Sequence, residues 1–136
     1  MPKPFLPPNE TTQFFWDAAR EHELVVQRCD GCGYYIHWPR PLCPRCQSSK
    51  LVPAPVSGRG HVYTFTVVHH LFHPAFADDM PYNLALVELE EQPGLRMLAN
   101  IVDCESQDLA IGMPVEVTFE DREEHTVPQF RPAPTN

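Results

Sequence analysis

The sequence predicts a mostly β protein: one N-terminal helix, a small cysteine-held ribbon, and a five-stranded barrel. Three observations carry that reading. Two C-x-x-C pairs, Cys29/Cys32 and Cys43/Cys46, stand ten residues apart. Beyond residue 56, apolar and polar residues alternate with a period of two in several short runs, the pattern of strands with one buried face. Ahead of the first pair, Phe14, Phe15, Ala18, Ala19 and His22 recur at helical spacing.

Residues 2–8, Pro-Lys-Pro-Phe-Leu-Pro-Pro, read as an extended arm, because proline removes a donor and restricts its predecessor. Asn9 or Thr11 can cap a helix running to about Glu23, with Glu10 well placed at its positive end. Phe14, Phe15 and Trp16 cannot all face one small core. Part of that cluster is therefore expected against the ribbon, a second copy or a partner. Leu24–Arg28 reads as a strand into the first cysteine pair, Tyr34–Trp38 as the ribbon between pairs, and Leu51–Val56 as the exit.

The strands after residue 56 follow from alternation. His61–Val68 places Tyr63, Phe65 and Val67 on one face, and Leu84–Glu90 places Ala85, Val87 and Leu89 on one face. Pro93-Gly94 turns that strand into Arg96–Asp103, a hairpin. Val115, Val117 and Phe119 alternate with Glu116, Thr118 and Glu120, and Val127–Phe130 adds a last strand. Five short strands with acidic outer faces fit a small closed barrel of the OB type. The expected organisation is arm and helix over 1–23, ribbon over 24–56, and barrel with a Pro-rich tail over 57–136.

The cysteine spacing carries the chemistry. A C-x-x-C pair in a tight turn can aim both thiolates at one ion, with metal–sulfur distances of about 2.3 Å. Cys29, Cys32, Cys43 and Cys46 together close a four-thiolate cage with no vacant position, which makes the site structural rather than catalytic. Gly31 and Gly33 supply permissive backbone around Cys32, and Pro44 stiffens the second turn. Zinc is the expected ion, with iron in a rubredoxin-like cage the alternative. A disulfide framework would suit a secreted chain, yet no apolar signal segment follows Met1. A redox C-x-x-C would need only one pair at a helix start. Cys104, in an apolar stretch, is expected to pack as a small hydrophobe.

Charge separates the two halves. The chain carries a net −8; residues 1–56 hold six Lys/Arg and five Asp/Glu, whereas residues 57–136 hold four Arg and thirteen Asp/Glu. A groove built from the second half would repel a phosphate backbone. That weighs against single-stranded nucleic-acid binding, the alternative function that ribbons and OB barrels bring to mind. No apolar run approaches the roughly 18–20 residues of a membrane span. The expectation is a soluble, cytoplasmic protein.

Longer motifs point further. They are Phe14-Phe15-Trp16, Glu23-Leu24-Val25-Val26-Gln27-Arg28-Cys29-Asp30-Gly31-Cys32-Gly33, and Trp38-Pro39-Arg40-Pro41-Leu42-Cys43-Pro44-Arg45-Cys46. Ser57-Gly58-Arg59-Gly60-His61, Pro81-Tyr82-Asn83-Leu84, Ile111-Gly112-Met113-Pro114 and Phe130-Arg131-Pro132 follow. From about residue 9 to 132 the chain resembles the acyl-CoA-associated zinc-ribbon/OB-fold proteins, long filed under a domain of unknown function. The resemblance implies a non-catalytic accessory subunit docking on a thiolase-fold enzyme, such as an acetyltransferase or a steroid side-chain aldolase, or pairing with a hydratase. It also implies that the barrel helps to form or cover the partner's CoA-ester channel, so that acyl-CoA is met through the complex.

His69, His70 and His73 lack a nucleophile or an orienting motif and are not expected to be catalytic. Their loop, with Phe72 and Phe76, is long for a small barrel and is expected at a partner interface, together with Phe14, Phe15 and Trp16. Arg59 and Arg131 are candidates for CoA phosphate contacts, or for pairing with nearby acids. Gly58-Arg59-Gly60 lacks any phosphate-loop frame and is expected to permit a sharp entry into the first barrel strand.

Overall fold

The computed structural model describes residues 10, 12–69, 74–79, 81–122 and 125–133. One helix, α1 (Gln13–Arg20), precedes eight strands: β1 (Val25–Cys29), β2 (Tyr35–Ile36), β3 (Leu51–Pro55), β4 (Arg59–Val68), β5 (Tyr82–Leu89), β6 (Arg96–Ala99), β7 (Pro114–Asp121) and β8 (Thr126–Pro132). They form two antiparallel sheets, ordered β2-β1-β3 and β6-β5-β4-β7-β8. Short 3-10 turns at Pro74–Asp79 and Ser106–Asp108 complete the described chain. No helix among the described residues is long and apolar enough to cross a membrane.

Helix α1 is shorter than the periodicity suggests. It starts after Thr12, whose carbonyl accepts from the Phe15 N–H at 3.0 Å; Asn9 and Thr11 lie outside the described residues. It stops at Arg20 because His22 turns left-handed, with φ 58°, while the N–H groups of His22 and Glu23 bond back to Ala19 and Ala18. His22 therefore leaves the helical stripe. Its ring stacks on Phe119 at 5.1 Å, and its Nε2 meets both Asp121 carboxylate oxygens at 2.9 and 3.1 Å. The helix is thereby tied to the far hairpin.

In the ribbon, β1 is central: Val26 and Gln27 face Ala54 and Pro53 of β3, and Gln27 faces Ile36 of β2. Pro53 and Pro55 stand on the β3 edge, where missing donors discourage further pairing. Gln92 pins the ribbon to the barrel: its carbonyl accepts from the Tyr35 N–H at 2.9 Å and its amide donates to the Tyr35 carbonyl at 3.0 Å.

The second sheet curls into a half-barrel. Along β5, Asn83, Ala85, Val87 and Leu89 point inward, as the alternation predicts. β4 departs from simple alternation, because its register with β5 shifts between Val62 and Thr64. Tyr63 is the extra residue of that bulge and points outward under the Arg96 guanidinium, 3.7 Å above its ring. Val62 takes the core position instead, with Phe65 packing beside it. β6 ends at Ala99 rather than Asp103. Asn100–Val102 then cross to β8: Ile101 bridges Phe130 in parallel, and the Phe130 N–H bonds Asn100 O at 3.0 Å. Asn83 makes this turn-off possible by accepting from Ile101 N at 2.6 Å and donating to Ile101 O at 2.8 Å.

One core runs through both sheets. Phe15 of the helix, with Leu24 and Val26 of the ribbon segment, packs with Val62, Val87, Leu89, Val115 and Phe130 of the barrel. Gly58 and Gly60 admit the chain into β4. Gly58 has φ +81°, and a Cβ there would meet the Val117 side chain; at Gly60 it would meet the Glu88 carbonyl oxygen. Gly60→Ala is expected to cost about 2 kcal/mol or more, because backbone rather than a flexible side chain blocks the added methyl. Gly94→Ala, where a Cβ meets nothing, should cost about 1 kcal/mol for its positive φ alone. Urea midpoints of the two variants measure the difference.

Candidate functional site

Two matching turns build the cysteine cluster. In the first, the Cys32 N–H points at the Cys29 sulfur at 3.4 Å, and the Gly33 N–H bonds Cys29 O at 2.8 Å, with Gly33 at φ 79°. In the second, the Arg45 N–H points at the Cys43 sulfur at 3.4 Å, and the Gln47 N–H bonds Cys43 O at 2.8 Å, with Gln47 at φ 63°. The left-handed position thus falls to glycine in one turn and to glutamine in the other, where it carries strain. Cys29 and Cys43 are buried, Cys32 and Cys46 exposed.

All four sulfurs lie within 4.8 Å of one another; Cys29–Cys46 is 3.5 Å and Cys32–Cys43 is 3.7 Å. Disulfides need about 2.0 Å, so these are free thiols. A tetrahedron with 2.3 Å bonds has edges near 3.8 Å, and the observed separations fit it. Electrostatics point the same way. The Cys32 N–H, followed by weaker hydrogen bonds, draws the Cys29 thiol down to about 6. Burial raises Cys43, but the Cys46 and Arg45 N–H groups outweigh it and hold it below the usual range. The Ser48 N–H lowers Cys46, yet crowding by the other three sulfurs, with burial, pushes it up to about 12. Four thiolates cannot share this volume without a cation. The cluster is a structural metal cage, closed on all four corners by protein.

Aromatic side chains cement the helix beside this ribbon. Phe15 is 3% exposed and lies 4.9 Å from Trp38 and 5.5 Å from His37; Trp16 stands 6.2 Å from Trp38 and 6.1 Å from His125. Phe14 and Trp16 are half-buried against the core. Of the three helix aromatics expected at an interface, Phe15 is therefore buried within this chain. His37 sits in the same cluster with its Nδ1 buried and unbonded among the described residues, and burial lowers its pKa to about 4.

The other candidates scatter. His69 is exposed at the end of β4. His70, Phe72 and His73 lie outside the described residues, as does the side chain of Phe76, whose backbone belongs to the Pro74–Asp79 turn. Arg59 and Arg131 do come together, in one row across the sheet: Arg59 registers with Glu116, which registers with Arg131. Both guanidinium groups face carboxylates, Arg59 on Glu90 at 3.2 Å and Arg131 on Glu116 at 3.0 Å. Arg96 on Glu88 at 3.2 Å and Arg122 on Glu120 at 3.3 Å complete the set, so each barrel arginine is paired.

Sequence reasoning missed a cavity of about 540 Å³ at the open side of the half-barrel, lined by Tyr82, Asn83, Asn100, Cys104, Arg122 and Gln129 among others. Gln129 donates to Glu120 at 2.7 Å, and Cys104 is half-buried with its thiol raised, first by burial and then by Asp108 and Glu105. The available signal was Asn83, a polar residue at an inward register position.

Two family profiles match this architecture. One, described as ChsH2, rubredoxin-like zinc ribbon domain, covers residues 16–52; the other, described as ChsH2, C-terminal OB-fold domain, covers residues 54–120. A DUF35 domain-containing scaffold protein of Methanocaldococcus jannaschii is 39% identical over 106 residues, which are 76% of this chain and 73% of the relative. The chain belongs to the DUF35 family. A probable enoyl-CoA hydratase alpha subunit of Thermomonospora curvata is 41% identical over 133 residues, 97% of this chain. The chain spans only 40% of that relative's length. Among solved structures, a chain of the Ltp2-ChsH2(DUF35) aldolase superposes with TM-score 0.86 at 40% identity, covering 96% of this DUF35 chain and 100% of its counterpart.

Two outcomes test the site. Cys43→Ser is expected to abolish stoichiometric metal and to cost more than about 4 kcal/mol, as loss of a structural metal does; elemental analysis and thermal melting check both. Retained metal with an unchanged melt would sink the closed cage. The second outcome concerns acid. A histidine held neutral at pKa about 4 takes up its proton more readily when unfolded, so its contribution weakens as pH falls from about 6.5 to 4, by up to about 3 kcal/mol. His37→Phe should therefore lose less stability than the parent between pH 7 and 4.5, metal release being common to both.

Proposed function

We propose that this DUF35 chain is a non-catalytic accessory subunit of an enzyme complex acting on acyl-CoA thioesters. In this reading it docks on a thiolase-fold partner of aldolase, acetyltransferase or thiolase type, stabilises it, and helps to shape its CoA-ester channel. A hydratase subunit is a further partner of the same assembly. The observation that carries the proposal is the likeness, at TM-score 0.86 over nearly the whole chain, to the DUF35 component of an aldolase complex. The closed cage supports it, since a metal with four protein ligands has no position for substrate.

Zinc is the proposed ion. Four cysteine ligands in two knuckles suit it, with iron the alternative, and the reduced thiols this requires favour the cytoplasm. The segment that begins at His69 is proposed to lie at the partner interface, on the strength of its length in the sequence. Nucleic-acid binding is the weaker reading: the barrel half is acidic and its arginines are already paired with glutamates.

Capture of the tagged chain from its native lysate, followed by mass spectrometry, should return a stoichiometric thiolase-fold or hydratase subunit. Recovery of salt-sensitive nucleic acid with no enzyme subunit would overturn the proposal.

A further inference from the structure

The segment between β2 and the second cysteine turn reads Trp38-Pro39-Arg40-Pro41-Leu42. Its three non-proline side chains all face solvent: Trp38 is 49% exposed, Leu42 51%, and Arg40 is exposed between them. Single exposed apolar side chains are ordinary, and surface loops that carry them are usually mobile. Here movement is blocked. The two prolines fix their own φ angles. The side chain of buried Gln27 clamps both backbone groups of Arg40: its amide donates to Arg40 O at 2.9 Å, and its carbonyl accepts from Arg40 N at 2.8 Å. Trp38 is braced from inside by the ring of Phe15.

The charges around this segment are also unusual within the molecule. Residues 24–56 carry four cations and one acid, and none of the four cations pairs with a carboxylate among the described residues. Arg28 and Arg45 instead lie over the rings of Tyr35 and Tyr34. Every arginine of the barrel has a glutamate. A divalent ion in the cage leaves two formal negative charges there, which the ribbon cations still exceed by one with the acid counted.

We infer that Trp38, Arg40 and Leu42 form a preorganised docking surface for an acidic protein face that carries an apolar pocket. Tryptophan and arginine dominate binding energy where they are held rigidly and become desolvated at a patch centre, and preorganisation removes the ordering cost of the loop. The unpaired ribbon cations select for carboxylates on the partner and speed its approach. A polyanion is the poorer occupant: one cation between two apolar side chains is not a phosphate track, and the acidic barrel adjoins it. A second copy, barrel to ribbon, would form a head-to-tail contact that need not close. The identity of the partner as an enzyme subunit rests on the accessory-subunit proposal; the location of the surface does not.

The test measures affinity of the purified enzyme subunit identified by the capture experiment for the parent chain, Arg40→Glu, Leu42→Asp and Arg131→Gln. Arg40→Glu and Leu42→Asp should each weaken binding about tenfold or more, with melting temperature and metal content unchanged, and Arg131→Gln should bind as the parent. Equal binding by all four overturns the inference and leaves the accessory role standing. No binding by the parent chain removes both. Loss of self-association in light scattering, or of affinity for a single-stranded oligonucleotide, with partner binding intact would also overturn it, assigning the segment to that other occupant.

Discussion

The four-sulfur cage is the constraint on which the rest of this molecule depends. The ribbon's own buried cluster is Cys29, Ile36 and Cys43, with Tyr34 and Leu51 partly covered beside them. Two of those three buried residues are metal ligands. Three short strands with so little apolar surface cannot offset the entropy of ordering some thirty residues. Closing the cage fixes both turns at once and makes metal binding part of the folding free energy. The consequences extend outward, because β1 continues from Cys29 back to Val26, which with Leu24 just ahead of the strand belongs to the main core. A loosened ribbon withdraws these side chains, together with the Tyr35–Gln92 hydrogen bonds, from the barrel.

The barrel's shape rests on a different device. A five-stranded sheet left flat would leave β6 and β8 as open edges. The bulge at Tyr63 increases the local twist, and Asn83 diverts the chain after Ala99 towards β8. These features act on opposite ends of the same curl, and together they bring Ile101 against Phe130. The cavity lined by Asn83 and Gln129 is what remains where closure stops at a single bridge.

Much of this was legible in the sequence. The ligands followed from spacing, since two C-x-x-C pairs ten residues apart have few other uses, and the β5 face followed from strict alternation over eight residues. What alternation could not show was a break in itself. Tyr63, Phe65 and Val67 keep perfect period two in the sequence, yet one unpaired residue in β4 sends Tyr63 outward and Val62 inward. His22 fits a helical stripe by spacing, but its left-handed backbone is decided by contacts with Phe119 and Asp121 about a hundred positions away. The same holds for Arg59 and Arg131, whose partners are set by strand register. Sequence showed that acids were abundant nearby, and only the sheet order put Glu116 between the two.

The pairing of those arginines bears on where chemistry can occur. A catalytic site keeps some titratable groups out of balance, poised by burial or by a neighbour. In the barrel the reverse holds. Glu88 is kept below its ordinary range, first by the Gly94 N–H and then by Arg96, and Glu90 likewise by Ser57 and Arg59. Around the cavity, Glu120 is shared by Gln129 and Arg122, while the Cys104 thiol is raised and, among the described residues, bonds the neighbouring Glu105 carbonyl. Where a hydroxyl does meet a carboxylate, as Thr126 donates to Asp121 at 2.7 Å, the two are cross-strand partners that close the β7–β8 hairpin. Apart from the Cys104 thiol, the groups out of balance lie in the ribbon: cations with no carboxylate partner among the described residues, a tryptophan braced by Phe15, and thiols that need a cation. Such a distribution suits the accessory role proposed above: metal holds the chain in shape, and the ribbon offers the surface for a partner.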